Sequence, residues 1–104
     1  MAVTIKALAD GQLAAAKGTI YTTPASTQTV AKVILTNTDS AARTTNLYVN
    51  RTGVSRRISP KDMSLGIGET YESKIVTLEA ADIIEGDASA ATVVDFTVNG
   101  FEVA

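Results

Sequence analysis

The sequence predicts an all-β protein: a single antiparallel β-sandwich, Ig-like or jelly-roll-like, of seven to eight strands with an N-terminal arm. Three observations carry this. Short β-branched runs recur along the chain, and turn-forming residues punctuate them roughly every ten positions. No stretch after residue 17 repeats its apolar residues at a 3.6-residue period. A chain of 104 residues fits one domain and can bury a core without covalent staples. Residues 1–17 read as an arm or first strand and residues 18–104 as the sandwich.

The first segment, "MAVTIKALADGQLAAAK", has two readings. Ile5, Leu8 and Leu13 with Ala14–Ala16 suit one side of a short helix. Gly11 and the early Val3-Thr4-Ile5 favour an extended arm or first strand. "GTIYTT" (18–23) is a strand closed by Pro24, which cannot donate to a ladder. "QTVAKVILTN" (28–37) places Ala31, Val33 and Leu35 on one face. Val30, Lys32, Ile34 and Thr36 fall on the other, so both faces are partly apolar, as in a central strand.

After "TDSAA" (38–42), "RTTNLYVNR" (43–51) alternates, with Thr45, Leu47 and Val49 inward and Asn46, Tyr48 and Asn50 outward. The two runs and their polar connection predict an antiparallel hairpin. "TGVSRRIS" (52–59) reads as a turn into a short edge strand anchored by Val54 and Ile58, whose Arg56 and Arg57 discourage stray pairing. Beyond Pro60 the chain enters a strand near Thr70. Another strand runs to Leu78, and a tight acidic turn spans Glu79–Asp82. Ile83-Ile84 follow, with Gly86-Asp87 ending that run. In "ATVVDFTVNGFEV" (91–103), Val94, Phe96 and Val98 oppose Val93, Asp95, Thr97 and Asn99. Leu35, Leu47, Val49, Ile84 and Phe96 are the expected shared core.

Composition excludes much chemistry. The chain has no His and no Cys, so imidazole bases, thiolate nucleophiles and thiolate metal sites are absent. The carboxylates Glu69/Glu72 and Glu79/Asp82/Glu85/Asp87 sit in or beside turns, with no apolar pocket evident to raise a pKa. The calcium-loop pattern is missing from residues 79–87, and "GIGETY" lacks the Lys, the third Gly and the helix of a phosphate loop. The expectation is no enzyme, no cofactor and no metal. Nine basic against 11 acidic residues give no face for nucleic acid, and three Tyr and two Phe offer little for stacking on bases or sugars. The N-terminus has no basic n-region, Lys6, Asp10 and Lys17 interrupt any apolar core, and no apolar run reaches the ~20 residues of a membrane span. A cytoplasmic start at or near Met1, with no membrane partner, is expected.

Three stretches carry a family resemblance: "YTTPASTQTVAKVILTNTDSAARTTNLYV", "RRISPKDMSLGIGETYE" and "LEAADIIEGDASAATVVDFTVNGFE". In this order they resemble a group of small tailed-bacteriophage proteins. That group has a start of the form L-Y-T-x-P, a segment like "NTDSAART", an "L-x-x-G-E-x-Y-E" run, an "L-E-A-x-D-x-I-x-G-x-A-S" turn and a terminal "V-x-F-x-x-x-G-x-E". The similarity covers roughly residues 18–102, and Ala81 stands where the group often has Gly. It implies a β-sandwich virion component made in the host cytoplasm, foremost a capsid-decoration (cement) protein. Its implied partner is the major capsid protein, bound by a homo-oligomer (trimer or dimer). Tail, neck or baseplate components of the same fold are the alternative, and a receptor- or glycan-binding module is disfavoured by the few aromatics.

The residues expected at an interface are Val3, Ile5, Leu8 and Leu13, aliphatics with no place in the sandwich pattern, together with the basic pair Arg56 and Arg57.

Overall fold

The computed structural model describes residues 2–104. Ten strands form two antiparallel sheets: β1 (Val3–Gln12), β2 (Gly18–Thr22), β3 (Gln28–Asn37), β4 (Arg43–Arg51), β5 (Val54–Arg57), β6 (Met63–Leu65), β7 (Thr70–Glu72), β8 (Val76–Leu78), β9 (Ile83–Ala88) and β10 (Val94–Val103). Sheet A runs β1-β10-β3-β7, with β8 also on β3; sheet B runs β2-β9-β4-β5, with β6 also on β4.

Ten strands fill eight positions, because two edge positions are each broken into a pair. β5 and β6 lie along the same side of β4, opposite β9. β7 and β8 lie along the same side of β3, opposite β10. A buried serine spans each break. Ser59 accepts the Leu47 N–H at 3.0 Å and Ser73 accepts the Val33 N–H at 2.9 Å, so the central strands keep partners where the edge backbone departs. Pro60 follows the first of these serines and cannot donate to the ladder.

With the broken pairs counted as single positions, the partners are nested: first with last (β1–β10), second with second-last (β2–β9), β3 with β7/β8, and β4 with β5/β6. A long antiparallel ribbon rolled so that successive strands alternate between sheets produces this order. It is the jelly roll, the double-sheet form found in viral capsid domains, lectins and cupins.

The rolled ribbon corrects one expectation outright. β3 and β4 do not form a hairpin; they lie in opposite sheets, and residues 38–42 arch between them. Alternation reports that a strand is half-buried, not which strand it pairs with. The arch is held by Asn37, nearly fully buried, whose amide donates to the carbonyls of Ala41 (3.0 Å) and Leu65 (2.9 Å) while its Oδ1 accepts the Asp39 N–H at 2.9 Å. The innermost pair is the true hairpin, β4–β5, closed by Thr52-Gly53 with φ of 52° and 83°. Two positive φ values in a two-residue loop match the right-handed strand twist.

Residues 3–12 are neither helix nor free arm: β1 pairs with β10 along its length, with a bulge between Ala7 and Ala9. The chain crosses sheets just beyond. Leu13 exchanges backbone bonds with Val94 and Thr92 on the sheet A side, whereas the Ala14 carbonyl accepts from Ala88 of β9. Nor do Gly86-Asp87 end β9; the strand continues to Ala88. Gly86 is there for packing, since a Cβ would lie 2.8 Å from Ile20 Cδ1 and 3.1 Å from Leu13 Cδ2.

The core is the space between the inner faces, filled by Val33, Leu35, Leu47, Leu78, Ile84, Val94 and Val98, all fully buried. Of the five residues expected to share it, Leu35, Leu47, Val49 and Ile84 do, while Phe96 is half-buried and packs against the margin. Asn46, expected outward, is on the outer face as its alternation requires, but a polar cluster covers it.

Candidate functional site

The two outer faces of the sandwich differ in kind. That of sheet B is polar and internally satisfied. Asn46 donates to Asp87 at 2.9 Å and to Asp62 at 3.1 Å, and accepts from the Asp62 N–H at 2.8 Å and from Arg57. Tyr48 donates to Asp87 at 3.1 Å, and burial, then the Asp87 charge, push its phenol above the ordinary value. Lys17 and Arg57 lie 4.4 and 5.0 Å from the Tyr48 ring centroid, within cation–π reach.

Sheet A presents the opposite character at one end. In antiparallel register, directly opposed side chains share a face. Ile5 of β1, Phe101 of β10 and Val30 of β3 therefore form one row, and Val3 with Val103 the next. Ile75, in the bend between β7 and β8, and Phe101 flank a shallow apolar groove over Val30 and Ala31. Ile5 is 85% exposed, Ile75 69%, Val3 61% and Phe101 37%. These are four of the six large apolar side chains that are exposed among the described residues, gathered on one surface. Such clustering, not exposure of single residues, marks an interaction surface.

The six residues expected at an interface are thus separated. Val3 and Ile5 lie in this patch. Leu8, at the β1 bulge, is half-buried against the core, and Leu13 is buried inside it at 2% exposure. Arg56 and Arg57, adjacent on an edge strand, face opposite sides: Arg57 joins the Tyr48–Asn46 cluster, while Arg56 borders a cleft between the sheets. Phe101, Val103, Val30 and Ile75 went unrecognised, although in "VDFTVNGFEV" the outward set turns from Asp95, Thr97 and Asn99 to Phe101 and Val103.

The carboxylates considered for catalysis or calcium all accept donors of this chain. Glu69 takes the Gly66 N–H, Glu79 the Gln28 amide at 2.8 Å, and Asp82 both the Glu79 N–H at 2.8 Å and Arg51 at 3.1 Å. Glu85 accepts from Ser55, Asp87 from Asn46 and Tyr48, and Glu72 pairs loosely with Lys32. Among the described residues no group of three or more potential ligands could hold a metal ion.

No family model matches the sequence, and neither does any curated protein. Solved structures are similar to it. A chain in the structure of infectious bursal disease virus, Gx strain, matches over 97% of this chain and 32% of its own, with a TM-score of 0.55 and 11% identity. The VP2 subviral particle of the same virus matches over 97% and 31%, with a TM-score of 0.49 and 11% identity. A pentameric capsid protein isolated from metagenomic phage sequences matches over 89% and 57%, with a TM-score of 0.44 and 14% identity. This chain spans about a third of the first virus chain. The likeness to that first chain is one of fold.

Proposed function

We propose that this chain is a structural virion protein of a tailed bacteriophage, a decoration subunit that attaches to the major capsid protein through the outer face of sheet A. The observation that carries this reading is the nested jelly-roll order, shared in fold with the infectious bursal disease virus chain across 97% of this sequence. The resemblance of residues 18–102 to small tailed-phage proteins supports a phage setting. The bare apolar rows of Ile5, Phe101, Val30, Val3 and Val103 support assembly, since a partner that covers them removes apolar surface from water.

In this reading the subunit acts as a trimer or dimer matched to the local symmetry of the shell, and many weak equivalent contacts add up through multivalency. The test is particle imaging with the gold-labelled protein, wild type beside Ile5→Lys. Label over the whole head surface, strongly reduced in the variant, is the expected result. Label confined to tail, neck or baseplate moves the protein to those structures, and no label on particles overturns the virion role.

A further inference from the structure

We propose that the mouth of the sandwich between β5 and β8 is a docking site for an extended polypeptide segment of a partner, one that presents an aliphatic side chain and a carboxylate on the same face. The proposal goes beyond the virion reading and does not depend on it.

The site has three parts. Its floor is a cleft of about 450 Å³, open to solvent, in which Val49 and Val54 of sheet B, with Ile58 just beyond β5, face Val76 of sheet A. Val54 is 49% exposed there, so the apolar wall is only half covered by the chain itself.

The second part is charge. Arg51 closes one end, bonded to the Thr77 carbonyl and paired with Asp82 at 3.1 Å, and so ties the two sheets together. Arg43 is held by Asp39 and Arg57 by Asn46. Arg56 borders the same cleft and, among the described residues, has neither a hydrogen-bond nor an ion-pair partner. A free guanidinium beside apolar walls is complementary to a carboxylate, which it binds through two parallel N–H groups.

The third part is backbone, and it selects a peptide over a small amphiphile. β5 is the outermost strand of its sheet and, among the described residues, pairs only with β4. The Ile58 N–H bonds the Leu47 carbonyl at 2.9 Å, which fixes the ladder's alternation: Val49–Arg56 and Arg51–Val54 are the bonded pairs. Ser55 and Arg57 therefore turn their N–H and C=O groups away from β4. Val54 and Arg56, two apart, both face the cleft. A segment added along β5 would meet the backbone groups of Ser55 and Arg57 while its alternate side chains, one aliphatic and one acidic, entered the cleft beside Val54 and Arg56.

The test is an NMR titration of the ¹⁵N-labelled full chain with the capped peptide Thr-Val-Thr-Glu-Thr-Val. Parallel arms use the same peptide with Gln in place of Glu, and octanoate. The expected result is saturable shifts of the Val54, Ser55, Arg57 and Val76 amides, with the Ser55 and Arg57 N–H groups gaining protection from exchange. Binding should weaken about fivefold both with the Gln peptide and in the Arg56→Gln variant, as loss of an exposed charge pair predicts. Absence of shifts at millimolar peptide, shifts confined to the outer face of sheet A, or equal affinity in Arg56→Gln would overturn the proposal. Octanoate reproducing the cleft shifts with no peptide-induced protection at Ser55 and Arg57 would overturn it in favour of an amphiphile pocket.

Discussion

Tyr21 of β2 donates its phenolic hydrogen to Glu102 of β10 at 2.6 Å, joining the two sheets at one end of the sandwich. The Thr29 hydroxyl lies 3.0 Å from the same phenolic oxygen, and Lys6 pairs with Glu102 at 2.9 Å. Burial, then the Glu102 hydrogen bond, push the Tyr21 pKa from 10.0 up to about 12. The Tyr21 hydroxyl, then Lys6, holds the Glu102 carboxyl below its ordinary range.

The fold therefore favours neutral Tyr21. Its contribution is fully present below pH 10, where folded and unfolded chains both keep the proton, and is lost as the pH rises towards 12. At about 1.4 kcal/mol per pKa unit, discounted for solvent screening of the part-buried phenol, the loss is on the order of 1–2 kcal/mol. Wild-type Tm should fall more steeply across this window than that of Tyr21→Phe. Parallel curves would show that the hydroxyl does not carry the effect. Glu102 acts in the opposite sense, its contribution being present above 4.5 and lost as the pH falls through its lowered value.

Core truncations should follow depth, not side-chain size. Leu47→Ala removes a fully buried side chain and is expected to cost about 3–5 kcal/mol, whereas half-buried Phe96→Ala should cost only about 2–3 kcal/mol. Urea unfolding measures both, and a larger loss at Phe96 would contradict its half-buried position.

Ala81 holds a φ of +69° in the turn where its N–H donates to the Thr23 carbonyl. An L-residue in the left-handed region is strained by roughly 1–2 kcal/mol, partly offset in Gly by the entropy of the unfolded chain. Ala81→Gly should thus raise stability by about 0.5–1 kcal/mol, visible as a higher Tm. An unchanged or lower Tm would refute strain at this position.

The serines at the strand breaks make a matched pair. Ser59→Ala leaves the Leu47 N–H, and Ser73→Ala the Val33 N–H, without that acceptor beneath the core. Each should cost about 1–3 kcal/mol and speed hydrogen exchange at the stranded amide. Exchange unchanged at Leu47 or Val33 would mean that another acceptor takes over.

The sequence carried the faces of strands better than their partners. In residues 28–37 alternation grouped Ala31, Val33 and Leu35 on one face, and in 43–51 it placed Leu47 and Val49 inside, where all five are buried. It was silent on pairing, because Thr38, Asp39 and Ser40 serve an arch as readily as a hairpin, and the partner of β3 lies at the far end of the chain. Val3 and Ile5 were legible as unplaced aliphatics. Leu13 was not separable from them, since only the crossing between sheets after it turns its side chain into the core. Phe101 and Ile75 became legible only once register put β1, β10 and β3 side by side.

The pairing of β1 with β10 has a consequence for how the protein is made. Val3 sits opposite Val103, so a nascent chain emerging from the ribosome carries its first strand with no neighbour until the last one follows. Only the β4–β5 hairpin can form from adjacent residues. The β1–β10–β3 side of sheet A must therefore wait for residues 94–103, and the topology, dominated by distant contacts, folds at slow rates. During that interval the aliphatic side chains of β1 lack their native neighbour, and transiently exposed apolar strands of this kind favour association between unfolded chains.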